Sequence, residues 1–211
     1  MQIASVIAEP AGWAPQLPPQ LAPSTRPSGL LRGGLAAWRG IPELAAGIAL
    51  SGVQVALLAP LLAAAASMSE AAVRADLEQV RVQVGGLAAG AGNVATTIGH
   101  HVYVSDAARA AQMLSWSSRG WLAHELGHTL QWRRAGGSDR TFLNRYVGAY
   151  ARHDGSFGAG GFAQAFAELV RRRRAGEPVG PVGDLIHDTH PMERDAERIA
   201  TAVRDATRPG I

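Results

Sequence analysis

The stretch Trp121 to Arg134, WLAHELGHTLQWRR, sets the frame for the rest of the chain. Leu122, Leu126 and Leu130 recur at i, i+4 and i+8, which is the spacing of one apolar helix face. Arg133 and Arg134 followed by Gly136 and Gly137 form a helix stop signal, so a helix is predicted here. Within it, His124 and His128 stand one turn apart on one face, close enough for both imidazoles to meet a single metal ion. Glu125 is rotated by about 100° around the axis and is placed beside the ion's open position rather than among its ligands. That is the place for a general base. Gly127, between the histidines, permits close approach of a neighbouring element.

Zinc is the ion that suits such a pair. The chain has no cysteine, so a zinc site must be built from His, Asp or Glu, and disulfides are excluded. A third ligand has to come from elsewhere, because Gln131 and Arg134 occupy the positions where an extended HExxHxxGxxH motif would continue. Glu193 is the first choice: Pro191 marks the start of a helix running through Arg204, which puts Glu193 in its first turn and Glu197 one turn on. One carboxylate can ligate while the other hydrogen-bonds a ligating imidazole. His187, His190 and Glu168 are the alternatives, His190 being also a candidate N-cap for that helix. Asp195 is expected to face solvent. Tyr146, Tyr150 and His153 are the candidates for stabilising charge developed during a reaction, with aromatic packing the competing role for the tyrosines.

Working outward, Val94 to Val104 alternates and is rich in β-branched residues, predicting one strand that carries His100 and His101. Helices are predicted over Ala107–Leu114, Phe142–Ala151 and Phe162–Arg174, and a short one opens with a capping box at Ser67-x-x-Glu70. Residues 1–40, rich in Pro and Gly, read as a flexible lead-in. Residues 41–68 read as a hydrophobic helix, 69–84 as a linker helix, and 85–211 as the functional domain. From Leu44 to Met68 there is no charged residue, which predicts membrane association through this run. The alternative is a soluble cytoplasmic protein in which the run is a core helix, since Gly47, Gly52, Gln54 and Pro60 are poor residues for the middle of a bilayer.

Composition narrows the class. Hydrophobic residues make up 47% of 211 and charged residues 18%, too apolar for a disordered chain. Every basic residue is Arg, a bias typical of GC-rich bacterial coding sequence, and the net charge is only +3. The basic character is therefore no nucleic-acid footprint, and the run Arg171 to Arg174 is a solvated helix end.

Three segments carry a family resemblance: His124 to Gln131 (HELGHTLQ), Thr97 to Val104 ahead of it, and Pro191 to Ala196 (PMERDA). Together they resemble gluzincin-type zinc metallopeptidases, and more narrowly a bacterial zincin-like domain in which a HELxHxxQ helix is followed by an NPxExxA helix. The resemblance spans roughly residues 94–204. It implies an α+β zincin-like fold, zinc held by His124, His128 and Glu193, Glu125 as base, Glu197 as an orienting carboxylate, and a strand edge lining the substrate cleft. Hydrolysis of a protein or peptide substrate through a zinc-activated water is the activity implied. This sequence has His190 where the pattern has Asn, and Glu197 where Asp is commoner. The alternative is a non-catalytic metal-binding interaction or delivery-associated domain that keeps the fold.

Overall fold

The computed structural model describes residues 8–13, 47–85, 95–153, 171–172, 174–175 and 189–208. Its elements run β1 (Ile48–Ala49), α1 (Gly52–Ala66), α2 (Glu70–Gln79), β2 (Arg81–Val84), β3 (Ala95–Ile98), β4 (His101–Val104), α3 (Ala107–Leu114), α4 (Arg119–Arg134), α5 (Asp139–His153) and α6 (Pro191–Ala206). The architecture is α+β, with a small mixed sheet in the order β1-β2-β4-β3. β1 pairs antiparallel with β2, β2 parallel with β4, and β3 antiparallel with β4.

Where the uncharged run predicts membrane association, its residues 52–66 form a helix packed into the core. No helix among the described residues is long and apolar enough to cross a membrane. Ser51 interrupts the run, its side chain accepting from the Gln54 amide while the Gln54 side chain accepts from the Ser51 amide, a capping box that starts α1. From there α1 buries Val55, Leu58, Ala59, Leu62 and Ala66 against α2, α4 and α6. Leu58 and Leu62 are fully buried, each worth roughly 1.5–3 kcal/mol of transfer free energy. The face left to solvent consists of Gly52, Ala56, Pro60 and Ala64, small residues that expose little apolar area without needing a charge. Gln54 is buried and satisfied, donating to the Leu114 carbonyl at 3.1 Å.

Ser67 does not open α2. It closes α1 in the left-handed conformation, with φ 53°, and α2 starts after Ser69. α1 has no basic residue in its own last turn. Arg134 of α4 and Arg198 of α6 instead donate to the Ala66 and Ala65 carbonyls, satisfying helix-end acceptors from a distance.

The single strand expected over Val94 to Val104 is a hairpin. Gly99, at φ 61°, begins a two-residue turn with His100, and Ile98 pairs with His101 across it. A Gly-X turn of this kind matches the twist of the flanking strands. Residues 69–84 hold both α2 and β2, and β2 sits in the interior of the sheet. Trp13, in the segment read as a lead-in, is 1% exposed. Its ring meets Trp116 edge-on at 4.9 Å and its carbonyl accepts from Ser51 Oγ at 2.9 Å.

Candidate metal centre

α4 is buried along most of its length, from Leu122 through Leu130, because it lies between the sheet and α6. Gly127 makes the α4–α6 approach possible. A Cβ built on it would stand 3.1 Å from the Ala196 Cα and 3.2 Å from the Ala196 Cβ, so only a residue without one lets the two backbones come this near. α6 begins where Pro191 predicts. His190 is its N-cap, with Nδ1 accepting from the Met192 amide at 3.3 Å. Glu193 then falls in the first turn, aimed at α4.

The result is a convergence of three side chains. Glu193 Oε2 lies 3.2 Å from His124 Nε2 and 3.2 Å from His128 Nε2. His124, His128 and Glu193 form a group that could hold a metal ion, each offering one ligand atom within 4.8 Å of the others. His128 and Glu193 are buried and His124 is partly so. The imidazole rings are nearly perpendicular, at 80°, with centroids 5.1 Å apart. His190, occupied in capping, is not a member of the group. Glu168 and His187 lie outside the described residues.

Electrostatics shows what this cluster is short of. Burial by itself would lower the His124 pKa, but the hydrogen bonds to Glu193 and Glu197 and the charge of Glu125 outweigh it and push it up to about 10. His128 is also buried, which lowers its pKa, yet Glu193 and Glu125 raise it on balance. Glu197 moves the other way, to about 2, chiefly through its contact with His124 and then with Arg204. Three carboxylates around two imidazoles thus demand positive charge, which either protons or a cation can supply.

Glu125 stays out of the ligand group. Its Oε2 accepts from Thr97 Oγ1 at 2.6 Å and its Oε1 from Trp121 Nε1 at 3.2 Å. Thr97 lies on β3, which is an edge of the sheet, so the sheet edge runs beside this carboxylate. Glu197 Oε2 is 3.4 Å from His124 Nδ1 and its other oxygen pairs with Arg204. Tyr146 OH donates to Glu193 Oε1 at 2.5 Å, and its ring lies 6.2 Å from that of His128. The side chains of Tyr150 and His153 lie outside the described residues.

Sequence reasoning gave no role to Gln131 and set Asp195 in solvent. Both are engaged. Gln131 Oε1 is 3.0 Å from His128 Nδ1, while its Nε2 donates to the Met192 carbonyl at 2.7 Å and to Asp195 at 3.3 Å. Asp195 also pairs with Arg134 and Arg198. Burial would raise its pKa, but Arg198, Gln131 and Arg134 together hold it below the usual carboxylate range. For Gln131 the signal was its i+3 position after His128, which shares a helix face. Trp121 had a comparable signal, its place four residues before Glu125 on the same helix, whereas Thr97 had none, since its contact is made across the sheet–helix interface.

Residues 60–136 match the family model for the eCIS core domain. The abbreviation stands for extracellular contractile injection system. The eCIS core match starts within α1 and runs through α4, so it contains His124, Glu125 and His128 but not Glu193. No zincin or metallopeptidase family model matches, and no curated protein or solved structure does either.

Proposed function

We propose that this chain is a metal-binding domain associated with an extracellular contractile injection system, its ion held by His124, His128 and Glu193. The observation that carries this is the arrival of Glu193, from outside the eCIS core match, within 3.2 Å of both histidines inside it. The donor set favours zinc. Two imidazole nitrogens and one carboxylate oxygen are ordinary zinc ligands, and bond lengths of about 2.0–2.1 Å in a tetrahedron put ligand atoms roughly 3.3 Å apart. The test is the metal content of the purified chain: about one equivalent of zinc is expected, lost in His128→Ala. A protein that takes up no divalent metal overturns the proposal.

A second reading, peptide-bond hydrolysis, is favoured by one feature. A closed structural site has no use for a buried carboxylate beside three ligands, yet Glu125 is held there by two donors. Zinc bound at this centre would supply Lewis-acid polarisation of a carbonyl and a water of lowered pKa. The protein's own contribution is orientation and proton movement. Thr97 and Trp121 each occupy one lone pair of a Glu125 oxygen and leave another able to accept a proton. Tyr146 and Gln131 hold the ligands Glu193 and His128. Under this reading Glu125→Gln keeps zinc and abolishes cleavage of a peptide library, whereas His128→Ala loses both. Full cleavage by Glu125→Gln rules out Glu125 as the base, whereas no cleavage by the zinc-loaded wild type eliminates the enzyme reading and leaves the metal-binding one standing.

A further inference from the structure

Beyond the ligands themselves, we infer that Gln131 is a positioning residue that fixes which nitrogen of His128 faces the metal and ties that choice to the first turn of α6. The inference rests on the metal-binding reading above.

The Met192 carbonyl can only accept a hydrogen bond. The Gln131 side-chain atom 2.7 Å from it must therefore be the amide NH2. Asp195 Oδ2, 3.3 Å from the same nitrogen, demands the same orientation. With its nitrogen committed, the Gln131 amide turns its oxygen to His128 Nδ1, 3.0 Å away. An amide oxygen can only accept, so Nδ1 carries the proton. The Nε2 lone pair is thereby left for the centre where Glu193 Oε2 waits at 3.2 Å. Gln131 is 8% exposed and His128 7% exposed, so water competes little for either group.

The same amide does a second task. Met192 precedes Glu193, and the Gln131 bond to its carbonyl holds the chain at the point where the third ligand leaves the helix start. One side chain thus couples the orientation of a ligand on α4 to the placement of a ligand on α6. Arg134 and Arg198, flanking Asp195, steady the carboxylate that helps set the amide. His124 has a different arrangement: its Nδ1 contact is Glu197, whose side chain is 54% exposed, so its orientation is open to solvent competition.

The test uses the full chain loaded with zinc, read by zinc affinity in competition with a chelator and by the downfield proton NMR signal of the His128 Nδ1–H. Gln131→Leu removes all three side-chain hydrogen bonds at similar volume and is expected to weaken zinc binding about 10–100-fold, the usual effect of losing a partner that orients a ligating histidine. The Nδ1–H signal is expected to be lost to exchange in the same variant. Gln131→Glu retains an acceptor toward Nδ1 but has no donor for the Met192 carbonyl or Asp195, so it is expected to keep that signal while its zinc affinity falls between those of the wild type and Gln131→Leu. A Gln131→Leu protein that binds zinc as tightly as wild type and keeps the protected signal overturns the inference. Should Gln131→Leu fail to fold, Gln131→Glu decides: a retained signal supports the inference, and a signal lost from a folded, zinc-loaded protein overturns it. Absence of zinc binding by the wild type would instead sink the metal-binding reading, a separately readable failure.

Discussion

Replacing Gly127 by Ala isolates the packing that brings the two halves of the centre together. The new methyl would lie 3.1 Å from the Ala196 Cα and 3.2 Å from the Ala196 Cβ, with Ile199 Cδ1 at 3.6 Å. The nearest atom is backbone, so no rotamer change relieves the contact. α6 has to move away from α4 by a few tenths of an ångström. Overpacking of this sort costs roughly 1–3 kcal/mol, while the exchange of Gly for Ala inside a helix returns about 1 kcal/mol. A net loss of about 1 kcal/mol follows, which for a chain of this size lowers Tm by roughly 2–4 °C. The effect on the metal centre is larger than that on stability. Ala196 sits one turn after Glu193, and ligand distances tolerate only about 0.2 Å, so zinc affinity is expected to fall about tenfold. Thermal denaturation in chelator measures the first effect and competitive zinc titration the second. Unchanged affinity together with unchanged Tm would falsify the view that this contact sets the ligand spacing.

Other perturbations probe separate parts of the molecule. The pKa of His124 is raised from 6.5 to about 10 in the metal-free fold, so its contribution to stability is complete below about pH 6.5 and is lost as pH rises toward 10. Tm in chelator should accordingly decline across that window, and a His124→Gln protein with the same decline would refute the assignment. Tyr146→Phe removes the donor to Glu193 Oε1 and is expected to cost roughly 1.5–3 kcal/mol in the metal-free protein, as for a hydrogen bond to a charged group. No change in denaturant midpoint would show that bond to be idle. Trp13→Ala should lose about 3–5 kcal/mol, because its ring is buried against Trp116. An unaltered midpoint would mean that residues 8–13 do not belong to the core in solution.

How much of this was legible beforehand depended on whether the cause was local. The helix carrying His124, Glu125 and His128, the Pro191 start that puts Glu193 in a first turn, and the close approach at Gly127 all follow from spacings within a few residues. The apolar run misled because the absence of charge says only that a helix avoids water. Whether lipid or α2, α4 and α6 surround it is decided by contacts far along the chain. The capping box at Ser51 is a local signal for the start of α1, and Gly99, placed between two β-branched runs, is a local signal for a turn. Spacing could show only the contacts within one helix, Gln131 with His128 and Asp195 with Arg198; the bonds of Gln131 to Met192 and Asp195, and of Asp195 to Arg134, join different helices.

Glu193 reaches His128 across a long intervening stretch of chain, and that separation has a topological consequence. A bound ion would behave as a cross-link, closing a loop from residue 128 to residue 193 and removing conformations from the unfolded ensemble much as a disulfide does. The entropy of closing such a loop grows only logarithmically, about 0.6 kcal/mol for each doubling of its length. The connecting stretch can therefore be lengthened or shortened considerably at little cost, provided that it still delivers Pro191 to the same spot. Reach is cheap in this design, and register at the docking point is not.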